Sequence, residues 1–229
     1  MPRGVYLVFT NPVAPDRREE YEAFYRDVHA PEVAASPGFG TFRRFRRSEA
    51  QPAVGAISAM AGLTIYELES DDLSETFRQL DERRATGGFT PGPAIQKGTA
   101  TYGVFEELPS ERPPADLASS TAVYVVLTNP ISQDRREEYE QYYQDVHAPE
   151  VCQSPGFTSF RRFRLTNAQD PVGPVADRQY LTIYELASDD LGETFRKHAE
   201  RRDSGQLTPS TSIARDTSTY GVYQRLAGA

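Results

Sequence analysis

Short apolar runs of strand character alternate along the chain with segments whose apolar residues recur at helical spacing. Val5-Tyr6-Leu7-Val8-Phe9-Thr10 is β-branched and aromatic and closes on Asn11-Pro12, which predicts a strand ending in a turn. Tyr21, Phe24, Tyr25 and Val28 then fall on one helical face, and Asp16 with Glu19 is spaced as an N-terminal cap, so a helix with a buried face is expected. Pro31 disfavours helical geometry at Ala30, which predicts that the regular helix ends close to His29, before Ser36-Pro37-Gly38 turns the chain. Phe39 to Arg46 reads as the next strand, and Leu63 to Leu68 as a third after an irregular stretch from Gln51 to Ala61. Asp71-Asp72 opens a second helix containing Leu73, Phe77 and Leu80, and Thr99 to Glu106 makes a fourth strand.

The whole pattern then repeats 118 residues later: Asn11-Pro12 returns as Asn129-Pro130, His29 as His147 and Tyr102-Gly103 as Tyr220-Gly221. Roughly three positions in five are identical between the copies, the mark of a tandem duplication of a domain-sized unit. Two copies of this length do not suggest a solenoid; they suggest a dimer fused into one polypeptide, its interface kept while the halves diverge. Each unit reads β-α-β-β-α-β, an α+β fold of ferredoxin-like type in which two helices cover one face of a four-stranded antiparallel sheet. The bare face, rich in Val, Leu, Ile, Phe and Tyr, needs another layer, and the second copy supplies it. The expected organisation is a first half at 1–108, a linker at 109–121 whose Pro109 to Asp116 stretch resists regular structure, and a second half at 122–229, the two sheets packing into one barrel.

Composition narrows the class of partner. With 229 residues, 38% hydrophobic and 25% charged, the chain is an ordinary globular one, and it has no run long enough to span a bilayer and no signal-like N-terminus, which makes a cytoplasmic location the default. A net charge of -8 and a pI near 5.0 argue against a grip on nucleic acid or anionic lipid and favour a small-molecule partner. The single cysteine, Cys152, faces Ala34 in the other copy and reads as a small buried hydrophobe.

Tyr25-x-x-Val28-His29-Ala30-Pro31-Glu32-Val33, followed by Pro37-Gly38-Phe39 and Arg43-Arg44-Phe45-Arg46, resembles the EthD-like branch of the dimeric α+β barrel superfamily, and the second copy matches equally well from Tyr143 to Val151 and from Arg161 to Arg164. The resemblance implies the fold strongly and the reaction weakly, since the superfamily includes cyclases, isomerases, cofactor-independent monooxygenases, haem-processing enzymes and proteins without known activity. It also implies that His29 and His147 can face the barrel cavity. They are two of only three histidines and sit at equivalent helix ends, where imidazole suits proton transfer near neutral pH. An imidazolium capping its own helix accounts for them as well.

Tyr25 and Tyr143 lie one turn earlier on nearly the same face. Tyr66 with Glu67, and Tyr184 with Glu185, lie on the third strand, whose end falls near the end of the first helix, so one of each couple is the expected partner of the histidine in acid-base work or substrate binding. Alternation sends only one into the cavity, and core packing and a solvent-facing salt bridge account for them equally. Asn11 and Asn129 read as turn-formers before proline, and the resemblance adds the binding of a carbonyl or enolate oxygen. Arg43 and Arg161, or their neighbours, are candidates to orient an anionic or phenolic ligand, against the alternative of edge-strand charge. His29-x-x-Glu32 and His147-x-x-Glu150 are spaced as metal ligands, but Pro31 and Pro149 interrupt them and no further carboxylates converge, so no metal is expected. His198, replacing Leu80, is left outside the main site, and Phe24 becomes Tyr142.

The favoured reading is a cofactor-independent enzyme for cyclisation, isomerisation or elimination on a small apolar carbonyl- or phenol-bearing molecule. His29 and His147 are its acid-base residues, with Tyr66 and Tyr184 as hydrogen-bond donors. A non-catalytic binding barrel is the alternative. A haem or quinone oxygenase is a further one, disfavoured by the absence of tryptophan.

Overall fold

The computed structural model describes residues 3–53, 55–110, 115, 117–169 and 178–227. Its first strand, β1 (Arg3–Thr10), is buried along almost all its length because both faces are covered: Val5, Leu7 and Phe9 point to one side, Tyr6 and Val8 to the other. The helical run that follows begins with a 3-10 turn, Pro15–Arg17, in which Asp16 caps nothing, since Ala14 holds the N-cap position without a side-chain bond. It continues as α1 (Arg18–Phe24), widens into a π-helical stretch over Tyr25–His29, and ends as α2 (Ala30–Ala34).

The helix therefore does not stop at His29. In the π stretch the Ala30 N–H reaches back to the Tyr25 carbonyl, and Pro31 falls in the first turn of α2, where a missing N–H is tolerated. β2 (Phe39–Arg47), the short strand β3 (Ala56–Ile57), β4 (Gly62–Glu69), α3 (Leu73–Ala85) and β5 (Thr101–Glu107) complete the first half. β3 lies in the stretch read from sequence as irregular. Asp72 caps α3, accepting the Glu75 N–H at 3.0 Å.

The second half repeats the order as β6 (Ala122–Thr128), α4 (Arg136–Gln141), a π stretch Tyr142–His147, α5 (Ala148–Val151), β7 (Phe157–Leu165), β8 (Tyr180–Leu186), α6 (Leu191–Asp203) and β9 (Thr219–Arg225). Strands run β2-β4-β1-β5 in one half and β7-β8-β6-β9 in the other, all antiparallel. The halves meet edge to edge at both seams, β5 on β7 and β9 on β2, so eight strands close into one antiparallel barrel while β3 adds in parallel to β9. Closure removes the free edges that two separate sheets would expose. Of the predicted linker, residues 111–114 and 116 lie outside the described residues.

An eight-stranded barrel leaves an interior just wide enough for side chains. Here Val5, Leu7, Ile65 and Phe45 from one half interdigitate with Val123, Val125, Ile183 and Phe163 from the other. The outer faces form separate cores beneath the helices: Tyr6, Tyr25, Tyr66 and Phe77 on one side, Tyr124, Tyr184 and Phe195 on the other. Among the described residues no helix is long and apolar enough to cross a membrane.

Candidate functional site

Strand alternation decides where each candidate side chain goes. Tyr66 is on the outer face, under the helices, and its neighbour Glu67 points into the barrel. The π-helical turn brings His29 over the same outer face. Its ring meets Tyr25 edge-on at 5.1 Å and stacks on Phe24 at 5.8 Å. His29, Tyr25, Tyr66, Tyr102, Arg84 and Phe89 line a cavity of about 100 Å³ between sheet and helix. Burial pushes the His29 pKa down to about 4, against the opposing field of Glu32 and with help from Arg44 and Arg84, so the imidazole is neutral at pH 7. A neutral imidazole in mid-helix is not a C-terminal cap. Burial also raises the Tyr25 and Tyr66 phenols well above their ordinary value, so both remain protonated donors.

The arginine beside these tyrosines is Arg44, the neighbour of Arg43. Its guanidinium lies 3.9 Å from the centre of the Tyr25 ring and donates from Nη1 to the Thr64 hydroxyl at 2.7 Å. Its buried Nε and Nη2 have no hydrogen-bond partner among the described residues. Arg162 lies over Tyr143 at 5.0 Å in the same way, but its Nη1 donates to the Glu140 carbonyl at 2.9 Å.

Arg43, Arg161, Glu67 and Glu185 do not reach the histidines, because alternation points all four into the barrel. Arg43 pairs with Glu185 through two hydrogen bonds of 2.8 and 2.9 Å, and Arg161 with Glu67 through two of 2.8 Å. Each pair joins one half to the other and is the image of its twin, and Arg43 also lies 3.8 Å from Glu67. These pairs hold the halves in register.

Asn11 and Asn129 hold backbone through their side-chain oxygens. Asn11 Oδ1 accepts the Ala61 N–H at 2.9 Å and Asn129 Oδ1 the Gln179 N–H at 2.7 Å, pinning the segment that enters the third long strand of each half. Glu32 accepts two bonds from Thr90, 2.9 Å from the N–H and 2.6 Å from the hydroxyl, and Glu150 does the same with Thr208. Both carboxylates thus latch the loop after α3 or α6 onto the helix, and among the described residues no three His, Cys, Asp or Glu converge on a metal-sized space.

In the second half Tyr143 meets His147 edge-on at 5.1 Å, and Tyr184 is fully buried with its hydroxyl unpartnered among the described residues. Two differences matter. Tyr142 stacks on His147 at 5.4 Å and places its hydroxyl 3.2 Å from Nδ1. His198 occupies the position of Leu80, which lines the first cavity, and its Nδ1 is 2.9 Å from the Ser154 hydroxyl. Burial first, and His198 next, lower the His147 pKa to about 4. The sequence signal for His198 is its replacement of Leu80 at one position of an otherwise repeated helix stripe.

With this geometry in hand, the comparisons with known proteins bear on the fold. An anthrone oxidase-like protein is 14% identical, with 98% of this chain and 91% of that chain covered and a TM-score of 0.55. A candidate monooxygenase from Fusobacterium nucleatum subsp. nucleatum is 12% identical over 98% and 92%, TM-score 0.56, and chlorite dismutase from Candidatus Nitrospira defluvii 14% over 96% and 91%, TM-score 0.53. The likeness shows a mixed α+β fold with an antiparallel barrel, the architecture of its dimeric α+β barrel neighbours. At these identities the likeness carries the architecture and not the reaction. Residues 121–207 match a family model described as "Domain of unknown function (DUF4286)", which spans part of the second half of the barrel. No curated protein matches the sequence significantly.

Proposed function

We propose that this dimeric α+β barrel is a tandemly fused member of the EthD-like branch, built from ferredoxin-like repeats, and that it is a cofactor-independent enzyme moving protons on a small, largely apolar carbonyl- or phenol-bearing molecule. The observation that carries the reading is the convergence of a neutral imidazole with protonated tyrosines on one aromatic cavity, His29 with Tyr25 and Tyr66. A neutral imidazole can accept a proton from carbon or oxygen, and the enolate or phenolate that results raises the basicity of the ring beside it. The tyrosine hydroxyls supply hydrogen bonds to that developing charge, and Arg44 or Arg162 adds a positive field from behind the ring it stacks on.

The cavity, about 100 Å³, is smaller than an ordinary ligand pocket. A ring-sized substrate therefore enters by displacing Phe89, which rides on the loop latched by Glu32 and Thr90. The test is proton exchange. A panel of small aryl 1,3-dicarbonyls and phenolic ketones is incubated with the protein in D₂O, and loss of the acidic C–H signal is followed by NMR. The expected result is exchange well above the buffer rate that is lost in the H29A/H147A variant at nearly unchanged melting temperature. Binding without exchange favours a non-catalytic barrel, and oxygen uptake with the same panel favours an oxygenase.

A further inference from the structure

The two halves of the barrel present their histidines differently, and the difference lies in one hydroxyl. Tyr142 has a single proton. It donates that proton to the Thr208 carbonyl, which can only accept. Toward His147 the same oxygen is therefore an acceptor, and the Nδ1 atom 3.2 Å away must be the one that carries hydrogen. A neutral imidazole protonated at Nδ1 has its lone pair on Nε2. The chain of Thr208 carbonyl, Tyr142 hydroxyl and His147 Nδ1–H thus sets both the ring orientation and the tautomer.

The first half lacks this device. Phe24 stands in place of Tyr142, stacked on His29 in the same way but with no hydroxyl, and the His29 Nδ1 is buried with no partner among the described residues. Thr90, the counterpart of Thr208, makes the same two bonds to Glu32 that Thr208 makes to Glu150, so the surrounding frame is unchanged. The second half also gains His198, anchored through Nδ1 to Ser154 at 2.9 Å and close enough to His147 to depress its protonation.

We infer that the halves are functionally unequal, and that Tyr142 is the positioning residue that holds His147 as the Nδ1–H tautomer with Nε2 as the proton acceptor, which makes the second half the one built for proton abstraction. This deepens the proposed acid-base function and rests on it for the word "acceptor", but the tautomer itself is measurable without any substrate.

The experiment uses the full chain labelled with ¹⁵N-histidine. Three histidines give three pairs of ring-nitrogen signals, assigned with H29Q and H198Q variants, and long-range ¹H–¹⁵N correlation reads each tautomer directly near pH 7.5. His147 is expected in the Nδ1–H form. In Y142F the ratio of the two tautomers shifts about fivefold to tenfold toward Nε2–H, the bias that one neutral hydrogen bond of ordinary net strength produces. F24Y is expected to shift His29 the opposite way, and this second variant keeps the test open if Y142F folds poorly. His147 found as Nε2–H in the parent protein, or a ratio unmoved by Y142F, overturns the inference. In the D₂O exchange assay Y142F should lower turnover at saturating substrate while leaving KM near the parent value. If the tautomers behave as stated but H147A retains full exchange, the tautomer assignment stands and the second half is not the one built for proton abstraction; retention in H29A/H147A is what overturns the acid-base reading.

Discussion

Removing Glu185 tests whether the barrel's interior charges act as a paired set. Glu185 is completely buried and meets Arg43, 5% exposed at its side chain, through two charge-assisted hydrogen bonds. E185L leaves Arg43 inside the barrel with only Glu67 at 3.8 Å, and both oxygens of Glu67 are already taken by Arg161. Two guanidinium groups then share one carboxylate in a low-dielectric interior. Breaking a buried pair from one side costs about 3–5 kcal/mol, a large part of the roughly 5–15 kcal/mol that holds a typical domain together. Glu67 is less buried, 17% exposed, and Arg161 has Glu107 at 4.0 Å in reserve, so E67L should cost less than E185L.

The discriminating variant is R43M/E185L, which removes both charges at once and fills the space with apolar volume. Such replacements are neutral or stabilising. Urea denaturation followed by circular dichroism should therefore give a midpoint for the double variant at or above that of the parent, far above E185L. A double variant as unstable as E185L, or a loss below about 1 kcal/mol in E185L itself, refutes the buried-charge account. Because these residues face the barrel and the histidines face outward, R43M/E185L should also keep its exchange activity.

Three further outcomes follow from named contacts. His29, His147 and His198 each have a folded pKa near 4, below the unfolded value, so the unfolded chain binds more protons between about pH 6.5 and 4. Stability should be full above that window and fall as pH drops through it, by up to about 3 kcal/mol per histidine; urea midpoints from pH 7.5 to 4.5 check this, and H29Q/H147Q should flatten the slope. E32A, which removes the two bonds to Thr90, should speed amide exchange and proteolysis over Thr86 to Ile95 without a comparable loss of global stability, as read by mass spectrometry of deuterium uptake. D72A and D190A each delete a side-chain cap at 3.0 and 2.9 Å, and each should lower stability by about 1 kcal/mol in thermal denaturation.

Much of the architecture was legible because the sequence carries the pattern twice. The strands at Val5, Phe39, Leu63 and Thr99 announce themselves by β-branched and aromatic content, and the unburied face of one repeat required the other. What was not legible turned on local geometry. Pro31 ends a helix in ordinary accounting, yet here the preceding turn is π-helical and carries the chain past it, placing His29 inside the run instead of at its end. Asp16 carries the chemistry of a cap but sits within the 3-10 turn. β3 is two residues long and depends on a partner strand from the other half.

The site followed from parity once one face of a strand was known. Residues 43, 45, 65 and 67 share the barrel interior, and 42, 44 and 66 the outer face, with no exception in either half. That single choice separates two tasks. The interior positions bind one repeat to the other, through apolar contacts crossed by two ion pairs, so they must stay matched and their charges change together. The outer positions serve each half alone, under its own helix, and one half can change there without disturbing its twin. The substitutions that alter the histidine surroundings, Phe24 to Tyr142 and Leu80 to His198, fall on that independent face, while the Arg43, Glu67, Arg161, Glu185 set is unaltered across the repeat. With both halves in one chain the outer faces can differ, whereas in a homodimer any change appears in both copies.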